Sequence, residues 1–160
     1  MSIRPAVAAD AEEVAAIYNE GIEERVATFE TELRTATDIG AWLTAGERLP
    51  LLVAEDHGAV VGWARILAYS DRAVYAGVGE VSVYVTKTAR GRGIGRRLLE
   101  ALEGSARALG DWKLTAMLFT ENAASAAMVR SCGWRDVGLH LRHSRLDGEW
   151  RDVLVVERLL

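Results

Sequence analysis

The stretch from Gly79 to Gly110, GEVSVYVTKTARGRGIGRRLLEALEGSARALG, limits the possible folds of this chain more than any other. Val81, Val83 and Val85 alternate with Glu80, Ser82 and Tyr84, which is the period of a β-strand with two unlike faces. From Ile94 the period lengthens, and Ile94, Leu98, Leu99, Leu102, Ala106 and Leu109 gather on one stripe of a helix. Between the two lies a turn holding Gly91, Gly93 and Gly95 among Arg90, Arg92, Arg96 and Arg97. A helix N-terminus offers unpaired backbone N–H groups and partial positive charge, and glycines let an anion approach them. Strand, turn and helix in this order read as a cradle for a pyrophosphate.

Other glycine-rich loops fit less well. A P-loop opens its helix with Gly-Lys-Ser/Thr to hold Mg²⁺, whereas this helix opens Gly95-Arg96-Arg97 and has no hydroxyl there. A dinucleotide site expects an acidic residue near the end of the next strand, and Glu121, about 26 residues past Gly95, keeps that reading open on spacing alone. A turn capped by solvated arginines is the plainest alternative.

The 160 residues suit one domain, 1–160, and the 50% apolar content suffices for a full core. One cysteine, Cys132, excludes an internal disulfide framework and suits a reducing compartment. The opening MSIRPAVAADAEEV lacks the apolar run of a signal peptide, and no stretch approaches a membrane span. A cytoplasmic protein without a membrane partner is expected. A net charge of −4 argues against general nucleic-acid affinity, leaving the arginines around Gly93 as a local anion site.

Taken in order, Ile3 to Val7 is a short strand. Asp10 and Glu13 resemble a capping box for an amphipathic helix ending near Glu24, whose Glu12, Glu13, Glu20, Glu23 and Glu24 form a solvated face. A polar segment carrying Phe29 follows, then a second helix from an N-cap at Thr37 to about Arg48. Leu51–Glu55 and Val60–Leu67 make a hairpin around Asp56-His57-Gly58, which leaves His57 as a turn residue. A loop leads into the central strand near Val78, and Lys113–Phe119 is a fifth strand. Asn122 starts a helix, Ala123–Ser131, that stops at Gly133. Trp134–Arg145 and Trp150–Leu159 form a final antiparallel pair.

Arg90-x-x-Gly93-x-Gly95 directly after Val81-x-Val83-Tyr84-Val85 resembles the acetyl-CoA loop of the GNAT family of N-acetyltransferases, and the order of elements matches that fold along nearly the whole chain. The resemblance implies an α/β fold with a mixed, mostly antiparallel central sheet flanked by helices. It implies acetyl-CoA as cofactor, with pantetheine along Val83, Tyr84 and Val85. The pyrophosphate would meet Arg90, Gly91, Arg92, Gly93, Ile94, Gly95 and Arg96, and Asn122 and Ser125 would join from the next helix. Ile17-Tyr18-Asn19, Ala27-Thr28-Phe29-Glu30, Trp42-Leu43, Arg72-x-x-Tyr75, Glu80-x-x-Val83-Tyr84-Val85 and Trp150-Arg151-Asp152-Val153 are similar to the branch acting on phosphinothricin, methionine sulfone and arsinothricin.

Transfer of an acetyl group to an amine needs the amine unprotonated, stabilisation of charge on the carbonyl oxygen, and departure of a thiolate. An α-amine and a free thiol titrate near ~8 and ~8.5, so positioning carries much of the task. Glu80 is the candidate base, as a glutamate at the matching position of that branch implies. The family's usual general acid matches Val129, which leaves unassisted thiolate departure or a tyrosine from elsewhere, Tyr84 or Tyr75. Cys132 reads as a small apolar residue, and His57, His140 and His143 share no ligand-like spacing, so no metal is expected. For the acceptor, a small amino acid analogue, the candidates are Arg72 and Tyr75 before the central strand, Phe29 walling the pocket, and His143 beside Arg142 and Arg145. In related enzymes that last segment completes the site across a homodimer. A peptide acceptor or a non-catalytic acyl-CoA-binding module are the competing readings.

Overall fold

The computed structural model of the chain describes residues 1–46 and 49–160. Its elements are β1 Ser2–Pro5, α1 Ala11–Glu24, α2 Ala36–Leu43, β2 Leu51–Asp56, β3 Ala59–Ala68, β4 Val78–Val85, α3 Ile94–Ala108, β5 Lys113–Phe119, α4 Ala123–Ser131, β6 Arg135–Leu146 and β7 Glu149–Leu159. The strands form one sheet in the order β1-β2-β3-β4-β5-β7-β6. Every neighbouring pair is antiparallel except β4 and β5. This is the mixed, mostly antiparallel sheet that the sequence implies.

Side chains alternating between the faces of the inner strands build a core on each face of the sheet. Leu51, Val53, Trp63 and Tyr84 face α1 and α2, where Val14, Ile17, Ile22 and Ile39 pack on them. Leu52, Ala54, Ile66, Val81 and Val83 face the other way, onto Leu98, Leu99 and Leu102 of α3 and Val129 of α4. Burying each large aliphatic side chain is worth about 1.5–3 kcal/mol. The β2–β3 hairpin closes through His57 and Gly58 at φ 52° and 83°, and the β6–β7 hairpin through Asp147 and Gly148 at 49° and 85°. Positive φ at both central residues matches the strand twist of two-residue hairpins.

Several local expectations shift. Helix α2 is capped by Thr35, not Thr37, with Asp38 completing the box through the Thr35 N–H at 2.7 Å. It ends at Leu43, while the expected end near Arg48 lies outside the described residues. Strand β1 stops at Pro5, short of Val7. Asp10 does not form a box with Glu13. Its carboxylate accepts two bonds from Arg4, at 2.8 and 2.9 Å, and one from the Val7 N–H at 2.8 Å, and Arg4 holds it below the usual carboxylate range. Glu13 accepts from the Val60 N–H at 3.2 Å.

The acidic stripe of α1 is also more than a solvated face. Glu20 accepts from the Thr86 hydroxyl and the Lys87 N–H, both at 2.8 Å. Glu24 takes both arms of Arg90 at 2.8 and 2.9 Å, which keeps its carboxyl below the ordinary range. These bonds tie the end of α1 to the loop that leaves β4.

Candidate active site

Strands β4 and β5 pair only from Val78↔Lys113 to Glu80↔Thr115. Beyond that point β4 stays bonded to β3 as far as Val85, and β5 to β7 as far as Phe119, so the two arms part. The sheet opens at its centre, and among the described residues no strand pairs with the β5 side of β4 past Glu80. The loop and the start of α3 lie over that opening. A cleft of about 570 Å³ occupies it.

Val83, Tyr84 and Val85 form one wall, Gly91, Gly93, Ile94, Gly95 and Arg96 the end, and Asn122 and Ser125 the opposite side. Asn122 is there because it caps α4, its side-chain oxygen accepting from the Ser125 N–H at 3.1 Å. The first helical bond of α3 runs from the Arg97 N–H to the Gly93 oxygen at 3.1 Å, so the N–H groups of Ile94, Gly95 and Arg96 have no partner within the helix. Gly91 and Gly93 both have φ 75°, a conformation that disfavours side chains. A Cβ on Gly95 would sit 2.7 Å from Met128 Sδ. Bare backbone N–H groups at a helix N-terminus, without side chains over them, fit a diphosphate.

The arginines serve mostly to hold the loop. Arg90 borders the cleft, but its guanidinium is committed to Glu24 and, through Nε, to the Val85 oxygen at 3.0 Å. Arg92 falls outside the cleft lining and reaches instead to Asp56 in the β2–β3 hairpin at 2.7 Å. Arg96 borders the cleft while its Nε donates to Glu100 at 2.8 Å. The anion-facing element is therefore the backbone.

Glu80 stands at the fork, half-buried, opposite Leu67 on β3 and Thr115 on β5. Among the described residues no hydrogen bond or ion pair engages its carboxylate. It shares the α1/α2 face with Tyr84, whose ring stacks on Trp63 at 4.8 Å and meets Tyr18 at 4.9 Å. Burial foremost, with Tyr18 beside it, pushes the Tyr84 phenol well above its ordinary value. Tyr84 is thus a neutral hydroxyl, and a poorer acid than an exposed tyrosine. Val129 is buried in the core and does not line the cleft. Burial likewise raises the Cys132 thiol, leaving it protonated. His57 lies exposed in its turn.

The acceptor candidates are more scattered. Phe29 packs edge-on against Phe119 at 4.6 Å, with Leu146 and Val153, pinning the segment after α1 to the far arm of the fork. Arg72 and Tyr75 lie on an exposed turn before β4, the Arg72 guanidinium 5.5 Å from the Tyr75 ring, and neither borders the cleft. His143 lies on exposed β6, its ring 4.7 Å from His140, in a stretch whose register is shifted. The sequence reading missed the contribution of α1. Gly21 and Glu24 border the cleft, and a Cβ on Gly21 would fall 2.7 Å from Tyr84 Cε1. A glycine inside an otherwise helical run was the available signal.

A forked sheet with a helix N-terminus over the fork defines an acyl-CoA acyltransferase cleft. Residues 14–134 match the model of the Acetyltransferase (GNAT) family. The L-methionine sulfoximine/L-methionine sulfone acetyltransferase of Pseudomonas paraeruginosa is 33% identical over 159 residues, covering 98% of this chain and 92% of that one. The crystal structure of a ribosomal-protein-alanine N-acetyltransferase from Brucella melitensis is 36% identical with a TM-score of 0.96 and covers 100% of both chains. A GNAT superfamily phosphinothricin acetyltransferase from Sinorhizobium meliloti, solved with acetyl-CoA, is 33% identical with a TM-score of 0.94, over 99% of this chain and 88% of that one. The chain belongs to the GNAT family and is an acetyl-CoA-dependent N-acetyltransferase.

Proposed function

We propose that this enzyme acetylates the α-amino group of a small anionic amino acid analogue, of the phosphinothricin or methionine sulfone type, and so detoxifies it in the cytoplasm. The observation that carries the chemistry is Glu80, a half-buried carboxylate without a partner among the described residues at the point where β4 and β5 part. Acetyl-CoA supplies the activated acyl group as a thioester. The α3 amides of Ile94, Gly95 and Arg96 hold its diphosphate, with Gly91 and Gly93 keeping the approach clear. The free edge of β4 orients the pantetheine and offers N–H groups to the carbonyl oxygen. Glu80 takes the proton from the acceptor amine, directly or through one water. The names of the relatives support this substrate class. The direct experiment follows free thiol release from acetyl-CoA with phosphinothricin, methionine sulfone, methionine sulfoximine and arsinothricin. No release with any of them would overturn the reading.

A second reading, acetylation of a peptide N-terminus, draws on the similarity to the ribosomal-protein-alanine enzyme. Arg72 separates the two. With a dianionic acceptor, Arg72→Ala should lower kcat/KM by about three- to tenfold, mostly through KM, since an exposed charge pair is screened. A peptide with a neutral first residue should be indifferent to the change. Paired titrations at saturating acetyl-CoA read this, and robust peptide turnover without any Arg72 response would favour the second reading.

The active form is proposed to be a homodimer. Supporting this, Val137, Leu139 and Leu141 alternate along the edge strand β6 and are 50%, 58% and 71% exposed, an apolar row that edge strands normally avoid. The dimer would cover this row and bring a partner's His143 segment toward the site. Sedimentation should give a dimer for the native chain and a monomer for Leu141→Glu, and a native monomer at micromolar concentration would refute the assembly.

A further inference from the structure

Arg65 is a half-buried arginine on the α1/α2 face of the sheet. It projects from β3 between Trp63 and Leu67, and the register sets it opposite Ser82, two residues from Glu80 on the same face of β4. Its guanidinium carbon lies 3.5 Å from the Trp42 ring centroid. Its Nε is buried without a hydrogen-bond partner, and no carboxylate pairs with it among the described residues. The nearby acid, Glu30, is taken by Arg34 at 2.5 Å, and Asp38 is taken by the Thr35 cap. Burial pulls the Arg65 pKa down, against smaller opposing contributions from Tyr18, Tyr84 and Glu30. Buried polar groups are rarely left unsatisfied, so such a group calls for an explanation.

Arg65 floors a cavity of about 330 Å³ bordered by Tyr18, Glu30, Arg34, Asp38 and Trp42. The wall toward the acetyl-CoA cleft is an aromatic pair, because Tyr18 lines this cavity, Tyr84 lines the cleft, and their rings meet at 4.9 Å. Glu30 follows Phe29 in the segment that closes over this face, and Asn19 pins the far end of that segment through bonds to Arg34 at 2.8 and 2.9 Å. The cavity thus sits on the Glu80 face, one aromatic layer from the cleft. Diagonal neighbours across an antiparallel pair lie about 7–8 Å apart, within the span of a small amino acid.

We infer that Arg65, stacked on Trp42, binds an acidic group of the acceptor in this second cavity and thereby selects anionic amines and points the amine toward Glu80. A stacked guanidinium presents its edge to a carboxylate or phosphinate, and the planar fork grips two oxygens at once. The bound anion supplies the missing partner. The inference rests on the acceptor class proposed above and names the residue that reads it.

The test compares the native enzyme, Arg65→Met and Arg65→Lys on three acceptors at saturating acetyl-CoA: phosphinothricin, its α-carboxamide, and methionine sulfone carboxamide, which has no anion at either end. Methionine preserves length and contact with Trp42, so folding is checked by an unchanged melting temperature and unchanged acetyl-CoA affinity. Arg65→Met should lower kcat/KM for phosphinothricin by about thirtyfold, mostly through KM, and leave the uncharged acceptor within threefold. Arg65→Lys should recover part of the loss. Phosphinothricin carboxamide shows which anion is held: the penalty disappears if it is the carboxylate and persists if it is the phosphinate. Calorimetry of phosphinothricin binding to the same variants provides a readout without turnover. Binding lost in Arg65→Met by a protein that acetylates none of the acceptors would keep the site and refute the substrate class. An equal effect on all three acceptors, or none on any, would overturn the role of Arg65.

Discussion

Replacing Glu80 by glutamine should lower kcat by about 10²–10⁴ with acetyl-CoA affinity intact, the usual range for loss of a general base. Glutamine keeps the size of the side chain and its place on β4 opposite Leu67 and Thr115, so the fork should not move. The change removes only a proton acceptor that none of the described residues engages. Affinity should be unaffected because the proposed diphosphate contacts come from the α3 amides, and Glu80 does not border the cleft they close. A pH series compares the native enzyme with the variant as the acceptor amine deprotonates near pH ~8. A glutamine variant within a few-fold of the native rate at pH 7, with the same profile, would make Glu80 a structural residue.

The second large effect is expected at Gly95. Valine there places a Cβ 2.7 Å from Met128 Sδ and adds two methyl groups at the mouth of the amide cradle. Met128 is flexible and yields, so the helix survives while the cradle fills. Moving a diphosphate away from two amides forfeits about 3–6 kcal/mol of charge-assisted hydrogen bonding. The Kd for acetyl-CoA should therefore rise a hundredfold or more, with circular dichroism unchanged. Gly95→Ala should fall between. Gly93 is a poorer test, since its φ of 75° makes any β-branched substitution a strain on the loop itself. Calorimetry that returned native affinity for Gly95→Val would remove the diphosphate from this helix.

What the sequence made legible follows the range of the interactions involved. The switch from period two to helical period placed β4 and α3, and Asn122 and Gly133 bracketed α4, because these signals lie within a few residues of what they specify. Eleven of the twelve proposed coenzyme contacts border one cleft, Arg92 being the exception. The partners of the arginines were not legible. Arg90 meets a glutamate 66 residues away and Arg92 an aspartate 36 residues away, and nothing local distinguishes a loop arginine that binds a ligand from one that binds the protein. The same blindness hid Arg65, which reads as one polar residue in an apolar strand until Trp42 and the cavity are brought over it. The Thr35 cap was misplaced by two residues because Thr35 and Thr37 are both plausible and only the reciprocal bond with Asp38 decides.

The brevity of the β4–β5 contact also bears on how the protein breathes. Among the described residues three pairs are the only ladder joining β1–β4 to β5–β7, whereas β3–β4 pairs over seven positions and β5–β7 over seven. The molecule is mechanically two sheets stitched by a short hem, and the hem is the cheapest place for sub-global opening. Amide protons along Val81–Val85 that face the fork should exchange with solvent fast when nothing fills it and slowly once the fork is spanned. Occupancy then adds stability by mass action as well as catalytic competence, so turnover and structural persistence draw on the same few unpaired groups of one strand edge.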